Sequence, residues 1–361
     1  MATPRFFPET GGVENHVYQV ARRLAAQGQH IEILTTDRSR KLPLEESLDG
    51  FQIKRVPAWP RNSDFYFAPA ISREVINGDW DILHVQSYHT FVPIFAMRAA
   101  VRVGKPFVLT FHGGGHSSHL RHAARTFQRA LLRPLIVRAS KLIAIARFEI
   151  DLFSHELNLP REQFALIPNG AELPPIKRQP GSRSSKEALI ASVGRLERYK
   201  GHQRVIAAMP YVLKQKPDVR LWIAGSGPYE AELRGLSRKL NVQDKVEIRA
   251  VAPDAREKFA EELSKASLFV LFSEYETHPL AALEAISLGC PALVSDTSGL
   301  REICEDGLAK SLPLNCTDGQ LAQAMIEQLD HPMLPRKIKL PTWDDCANNL
   351  LVLYRDVLKT A

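Results

Sequence analysis

No stretch of this chain approaches the roughly 18–20 uninterrupted apolar residues of a membrane-spanning helix, which excludes a helical span. Met1-Ala2-Thr3-Pro4-Arg5 opens the chain with no apolar core behind it, so a secretory signal is not expected. Cysteine is scarce. Cys290, Cys304, Cys316 and Cys346 all fall in the second half, and no two of them form a C-x-x-C pair. Those spacings exclude a zinc site and, with no secretory signal, favour reduced thiols in the cytoplasm over two disulfides. Zinc-finger, RNP and helix-turn-helix signatures are missing too, so the net charge of +7 alone points to nucleic acid, and none is expected as a partner. The most local absence is of acid: from Ile82 to Phe148 there is no Asp or Glu, but there are ten Lys and Arg. A block of one sign suits an anionic partner, a lipid headgroup or a phosphate, or else is a solvated basic face.

What is present is a regular alternation. With 361 residues the chain has the length of about two domains. Short β-branched apolar runs predict strands at His30–Thr35, Ile82–Val85, Phe107–Thr110, Lys141–Ile145 and Phe164–Ile167. A second set follows at Ala188–Val193, Arg220–Ala224, Val246–Arg249, Leu268–Phe272 and Ala292–Ser295. Helical patterns separate them, for example Val13–Gln27 closed by Gly28. Strand–helix alternation of this kind predicts α/β layers, two doubly wound parallel-sheet, Rossmann-like domains facing across a cleft. Residues 173–187, rich in Pro, Ser, Gly and charge, read as the linker between a domain at 1–172 and a second at 188–330, with a final segment at 331–361. Gly11-Gly12 should follow a strand, yet the few residues before them are too short and proline-rich for a buried one. The N-terminal sheet thus lacks its first strand or the start codon is assigned late, and the cost of losing a central strand favours the second.

Chemistry concentrates in Leu271–Glu302. A strand ends near Phe272, Ser273-Glu274-Tyr275-Glu276 form a loop, and Pro279 starts a helix, where its missing N–H is harmless. The amides of Leu280, Ala281 and Ala282 are then expected to be free for an anion. Glu284, inside the helix, can offer a carboxylate to paired hydroxyls such as a ribose diol. A second segment, Ser192-Val-Gly-Arg-Leu-Glu-Arg-Tyr-Lys-Gly201, runs from a strand through a glycine turn into a helix and carries Arg195 and Lys200. A third, Leu221-Trp-Ile-Ala-Gly-Ser-Gly-Pro-Tyr-Glu230, has Gly225 and Gly227 in a tight loop.

Together these segments resemble the family 4 retaining glycosyltransferases of the GT-B fold. Within Ser273–Val294, Ser273–Pro291 resembles the family's S-x-x-E-x7-E-A-x3-G-x-P, with Glu276 and Glu284 at the hallmark spacing. Ser192–Gly201 looks like its V-G-R-L-x3-K-G, Thr3–Glu14 its P-x2-G-G-x-E loop with Gly11 and Gly12, Leu109–Gly113 its strand-end T-x-H, and Ile167–Glu172 its P-N-G-x-D turn. The C-terminal Trp343 and Leu350–Leu358 resemble its last helix, which crosses back to the N-terminal domain. The resemblance implies a hexosyl transfer from a UDP- or GDP-sugar with retention of configuration, the donor held mainly by the C-terminal half. It places Glu276 at the reacting carbon and Glu284 on the ribose. Arg195 and Lys200 would flank the diphosphate, His112 the transferred sugar, and Gly11, Gly12, Gly225, Gly227, Leu280 and Ala281 the donor. Cations at the diphosphate stabilise the charge that develops as the bond breaks. With no D-x-D pair beside these loops, no metal or other cofactor is expected. Where the family has E-G-F-G this chain has Glu276-Thr-His-Pro279, and Pro279 has no N–H to give a sugar hydroxyl. Closure about the linker would exclude water.

For the acceptor, the reading is a glycan or lipid-linked precursor. Arg121, Arg125, Arg129 and Arg133 recur every four residues on a helix over 118–138 and form a basic stripe, which suits docking on anionic membrane at the cytoplasmic face. A nucleotide-sugar epimerase and a non-catalytic nucleotide-sugar-binding protein stay open as alternatives.

Overall fold

The computed structural model describes residues 1–9, 11–61, 66–113, 119–171, 173, 188–252, 255–335 and 338–360, with side chains from Gln128 onward in the helix that starts at His119. The chain divides into two compact units, one of Met1–Gly113, Ser118–Gly170 and Pro341–Ala361, the other centred on Ala171–Leu340. The second unit therefore runs ten residues past the expected boundary at 330. Beyond Leu173, the expected linker lies outside the described residues.

The first unit opens with α1 (Gly12–Ala26), whose His16, Val17, Val20, Ala21 and Leu24 recur at helical spacing and are buried. There follow β1 (Glu32–Asp37), β2 (Glu45–Leu48), β3 (Phe51–Pro57), α2 (Ala70–Asn77), β4 (Leu83–Gln86) and α3 (Phe91–Val103). β5 (Phe107–Thr110), α4 (His119–Ile136), β6 (Lys141–Ala144), α5 (Arg147–Leu157) and β7 (Phe164–Leu166) complete it. The strands run β1-β3-β2 and β4-β5-β6-β7, parallel but for the β2–β3 hairpin. That hairpin was not expected from periodicity, although its signal is there: Asp49-Gly50 have φ of 45° and 86°, the two positive values a two-residue hairpin turn requires.

The place of the first strand is not vacant. Ala2 pairs in parallel with Leu34 of β1 and with Val85 of β4. The Ala2 N–H donates to the His84 carbonyl at 2.8 Å and the Gln86 N–H to the Ala2 carbonyl at 2.9 Å. On the other side the Thr3 N–H donates to Leu34 at 3.0 Å and the Leu34 N–H to Met1 at 2.8 Å. Three residues thus join the two sets of strands into one sheet.

The second unit has β8 (Leu189–Val193), α6 (His202–Gln215), β9 (Arg220–Ala224), α7 (Glu230–Lys239), β10 (Val246–Ile248), α8 (Arg256–Ser264), β11 (Leu268–Leu271), α9 (Leu280–Ser287), β12 (Ala292–Ser295), α10 (Ser298–Glu305), β13 (Lys310–Leu312) and α11 (Asp318–Asp330). Its sheet is all parallel in the order β10-β9-β8-β11-β12-β13. β11 and β12 are buried at every residue, as strands covered on both faces must be. The core lies in two layers, one with Val205, Met209 and Met325, the other with Phe259, Leu263 and Ile286. The last helix, α12 (Trp343–Thr360), returns to the first unit and packs on α1, where Leu350 and Tyr354 meet Val20 and Leu24. Gly170 makes this docking possible, since a Cβ there would stand 2.3 Å from the Trp343 nitrogen.

Candidate functional site

The second unit gathers its expected site residues where β8, β9 and β11 end, the side of a parallel sheet on which such folds place ligands. The loop after β8 and the loop after β9 are zipped together. The Gly194 N–H donates to Ala224 at 3.0 Å, Leu196 to Ser226 at 3.0 Å, and Tyr229 to Leu196 at 2.9 Å. This explains the glycines: a Cβ on Gly225 would meet the Gly194 oxygen at 1.9 Å, and one on Gly227 the Leu196 oxygen at 2.5 Å. Gly225 and Gly227 thus act here as contacts between backbones.

The next turn locks onto β11 in the same way. Gly201 has φ +75° and would carry a Cβ 1.9 Å from the Phe272 oxygen, so only glycine fits. The Glu274 N–H donates to the Tyr199 carbonyl at 2.7 Å. Lys200 and Glu276, 76 residues apart, are thereby brought together: Lys200 Nζ lies 2.7 and 2.9 Å from the two oxygens of Glu276. Ser273 Oγ donates to the same carboxylate at 2.7 Å. The Glu276 backbone is fixed too, its N–H donating to Ser298 Oγ at 2.9 Å and its carbonyl accepting from Gly299 at 2.9 Å. Ser298 holds a left-handed φ of 39°, a strained conformation for a side chain–bearing residue. Burial works against the Lys200 ammonium, yet Glu276 beside it more than compensates and holds its pKa above the ordinary lysine value.

Arg195 is not part of this group. Its side chain is 72% exposed and pairs with Glu197 at 2.8 Å. The expected row of free amides is also reduced. The Leu280 N–H donates to His278 at 2.8 Å and that of Ala282 to Pro279 at 3.0 Å, because the backbone around Pro279 turns back on itself. Glu284 is buried in α9, where desolvation raises its pKa and Arg256 opposes the rise, its guanidinium 2.5 Å from Oε1.

In the first unit, His112 sits just past the end of β5 with φ 45°, and Ser87 just past β4 with φ 68°. His112 Nε2 donates to Gln86 Oε1 at 2.7 Å, which leaves Nδ1 as an acceptor. His16 stacks edge-on against it with centroids 4.7 Å apart, and His16 Nδ1 donates to Asn169 Oδ1 at 2.7 Å. Burial lowers the pKa of His16 to about 4, against the Asn169 bond, and burial together with His16, His84 and His89 puts His112 well below its usual value. Both rings are neutral at physiological pH. Glu149, fully buried, accepts from the Gly113 N–H at 3.0 Å and the Ile145 N–H at 2.9 Å, fixing the backbone beside His112. Gly11 and Gly12 stand at the start of α1. A Cβ on Gly12 would meet nothing within 4 Å among the described residues.

Gln86, His16, Glu149, Ser298 and Arg256 escaped sequence reasoning. Glu149 alone left a signal there: it is the acid that ends the long acid-free stretch. The structure corrects the basic stripe at Arg129 and Arg133. Arg129 is buried and pairs with Glu156 at 2.6 Å, and Arg133 donates to the Leu157 and Asn158 carbonyls at 2.6 and 3.3 Å, capping the end of α5. Four-residue spacing does put Arg129 and Arg133 on one face of α4, and at these two positions that face packs on α5. The side chains of Arg121 and Arg125 lie outside the described residues. Among the described residues no helix is long and apolar enough to cross a membrane.

Residues 10–173 match the family model described as Glycosyltransferase Family 4, and residues 175–340 the model described as Glycosyl transferases group 1. The chain is similar to the GDP-mannose:cellobiosyl-diphosphopolyprenol alpha-mannosyltransferase of Xanthomonas oryzae pv. oryzae, with 28% identity over 301 residues, 81% of this chain and 77% of the relative. The protein of the same description from Komagataeibacter xylinus is 26% identical over 376 residues, 99% of this chain and 92% of the relative. Among solved structures, sucrose-phosphate synthase from Thermosynechococcus elongatus shares the fold with a TM-score of 0.78 at 21% identity, over 98% of this chain and 95% of that one.

Proposed function

The chain belongs to the family 4 glycosyltransferases, enzymes of the GT-B fold, and from that premise we propose that it moves a hexose from a nucleoside-diphosphate sugar to a hydroxyl of a lipid-linked saccharide, with retention of configuration. Two relatives named for a GDP-mannose donor and a diphosphopolyprenol-linked acceptor support this choice and put GDP-mannose first among donors to try. The observation that carries the reading is the Lys200–Glu276–Ser273 group, a partly buried cation on a buried carboxylate, fixed by backbone contacts from two loops at the ends of parallel strands.

In this reading the bond between the sugar C1 and the diphosphate oxygen breaks while C1 bonds to the acceptor oxygen on the same face. The leaving phosphate takes the acceptor's proton. Lys200 is the fixed positive charge for the departing diphosphate, and exposed Arg195 is free to swing from Glu197 to the phosphates. Such charges lower the barrier because they meet negative charge that grows in the transition state. Glu276 orients the sugar and Glu284 takes the ribose diol. In the first unit, His112 offers a neutral ring nitrogen to a sugar hydroxyl. The reaction so written uses no metal.

Calorimetric titration with GDP, UDP and ADP tests the donor. One nucleotide should bind, and more weakly to Glu284→Ala. Incubating its mannosyl or glucosyl form with a polyprenyl-diphosphate disaccharide should then extend the acceptor by one α-linked sugar, read by NMR. Binding with donor consumption but a β-linked product would overturn retention, and no nucleotide binding by the folded protein would overturn the donor assignment.

A further inference from the structure

We propose that Arg256 is a positioning residue that keeps Glu284 an ionised carboxylate, turned so that one of its oxygens stays open to the ribose hydroxyls. The inference rests on the donor reading above and adds a residue that no motif marked. Glu284 is 8% exposed, on the second turn of α9, and its surroundings in β11 and β12 are apolar. A carboxylate in such a place takes up a proton unless a charge opposes it. Arg256, at the start of α8, is the one charged group acting on it among the described residues.

The geometry is one-sided. Arg256 Nη2 approaches Oε1 at 2.5 Å, while Oε2 has no hydrogen-bond partner among the described residues. The guanidinium carbon also lies 5.5 Å from the centre of the Phe259 ring, one turn along α8, which holds the side chain in this direction. The consequence for a diol follows from hydrogen-bond capacity. Two ribose hydroxyls both donate, so they need a carboxylate, which only accepts. A protonated acid has one oxygen turned donor and loses the charge-assisted bond. Because burial already raises the carboxyl's pKa, removing Arg256 moves the loss of the carboxylate towards neutral pH. The sign is that of any acid: binding is intact above the folded-state pKa and falls as pH drops through it.

The experiment titrates GDP and UDP separately into wild type, Arg256→Ala, Arg256→Lys, Glu284→Gln and the double variant R256A/E284Q, from pH 5.5 to 8.5. Arg256 is half exposed, and thermal unfolding of each variant checks that it folds. Binding to R256A should weaken about tenfold for each pH unit below the new titration point, while R256K stays nearer wild type. In the E284Q background, removing Arg256 should leave the pH profile flat. A loss in R256A that does not change with pH, tighter binding by R256A, or the same loss with and without Glu284 would each overturn the role. Should wild type bind neither nucleotide, the donor reading falls. Infrared difference spectra of the same variants then decide the role: R256A must show a protonated carboxyl at neutral pH that R256A/E284Q lacks, and its absence refutes the inference.

Discussion

Lys200→Met should destabilise the protein by about 3 kcal/mol, and adding Glu276→Gln should return most of that stability. Lys200 and Glu276 are 16% and 10% exposed at their side chains and lie 2.7 Å apart. Breaking a buried pair from one side costs about 3–5 kcal/mol, because the partner is left charged without compensation. The lower figure applies here, since Ser273 still donates to Glu276 when the lysine is gone. For a unit of this size, about 3 kcal/mol corresponds to a fall of roughly 6–12 °C in Tm. The double variant replaces the pair by two neutral side chains of similar shape, with the Ser273 bond kept, and should melt within a few degrees of wild type. Both variants should lack transfer activity, so stability and catalysis separate. Calorimetric melting of wild type, the two single variants and the double variant gives the cycle directly. Since the Lys200 pKa is raised, its contribution is complete at neutral pH and is lost only as pH rises beyond the ordinary lysine range. A K200M protein as stable as wild type, or a double variant no better than K200M, would refute the picture of a buried, mutually dependent pair.

Arg129→Ala should lower stability by about 1 kcal/mol, because it removes the partner of the solvent-accessible Glu156 carboxylate, and should leave co-sedimentation with anionic vesicles unchanged; weaker vesicle binding with an unchanged Tm would return Arg129 to the surface stripe. Gly225→Ala should damage folding of the second unit more than a surface change of ±0.5 kcal/mol would, since its Cβ enters the Gly194 carbonyl, and a soluble variant with wild-type Tm would show that the two loops yield.

The central strands were legible because burial on both faces writes a continuous apolar run into sequence. Phe107–Thr110, Arg220–Ala224 and Ala292–Ser295 were located to the residue. The ends of the sheets were not. β13 pairs over three partly exposed residues, and β2 and β3 form a hairpin that departs from the α/β rhythm of the rest of the chain. Met1–Thr3 were too short to read as a strand, because their strand character comes from the neighbours on either side.

Of the site, the sequence by itself determined the motifs and their order: Gly11-Gly12, His112, Arg195 and Lys200, Glu276 and Glu284. Local chemistry is enough for that, since glycine turns, strand ends and helix starts are short-range features. Only the tertiary structure decided which of those residues meet. It put Lys200 on Glu276 and left Arg195 outside, tied up two of the three amides at α9, and spent Arg129 and Arg133 on α5. It also supplied Gln86, Glu149 and Arg256, each with a partner 26 to 36 residues away. A side chain's spacing along a helix says which face it occupies, but what that face packs against is set by contacts distant in the chain, and those contacts fix whether a charge is a ligand, a cap or a partner.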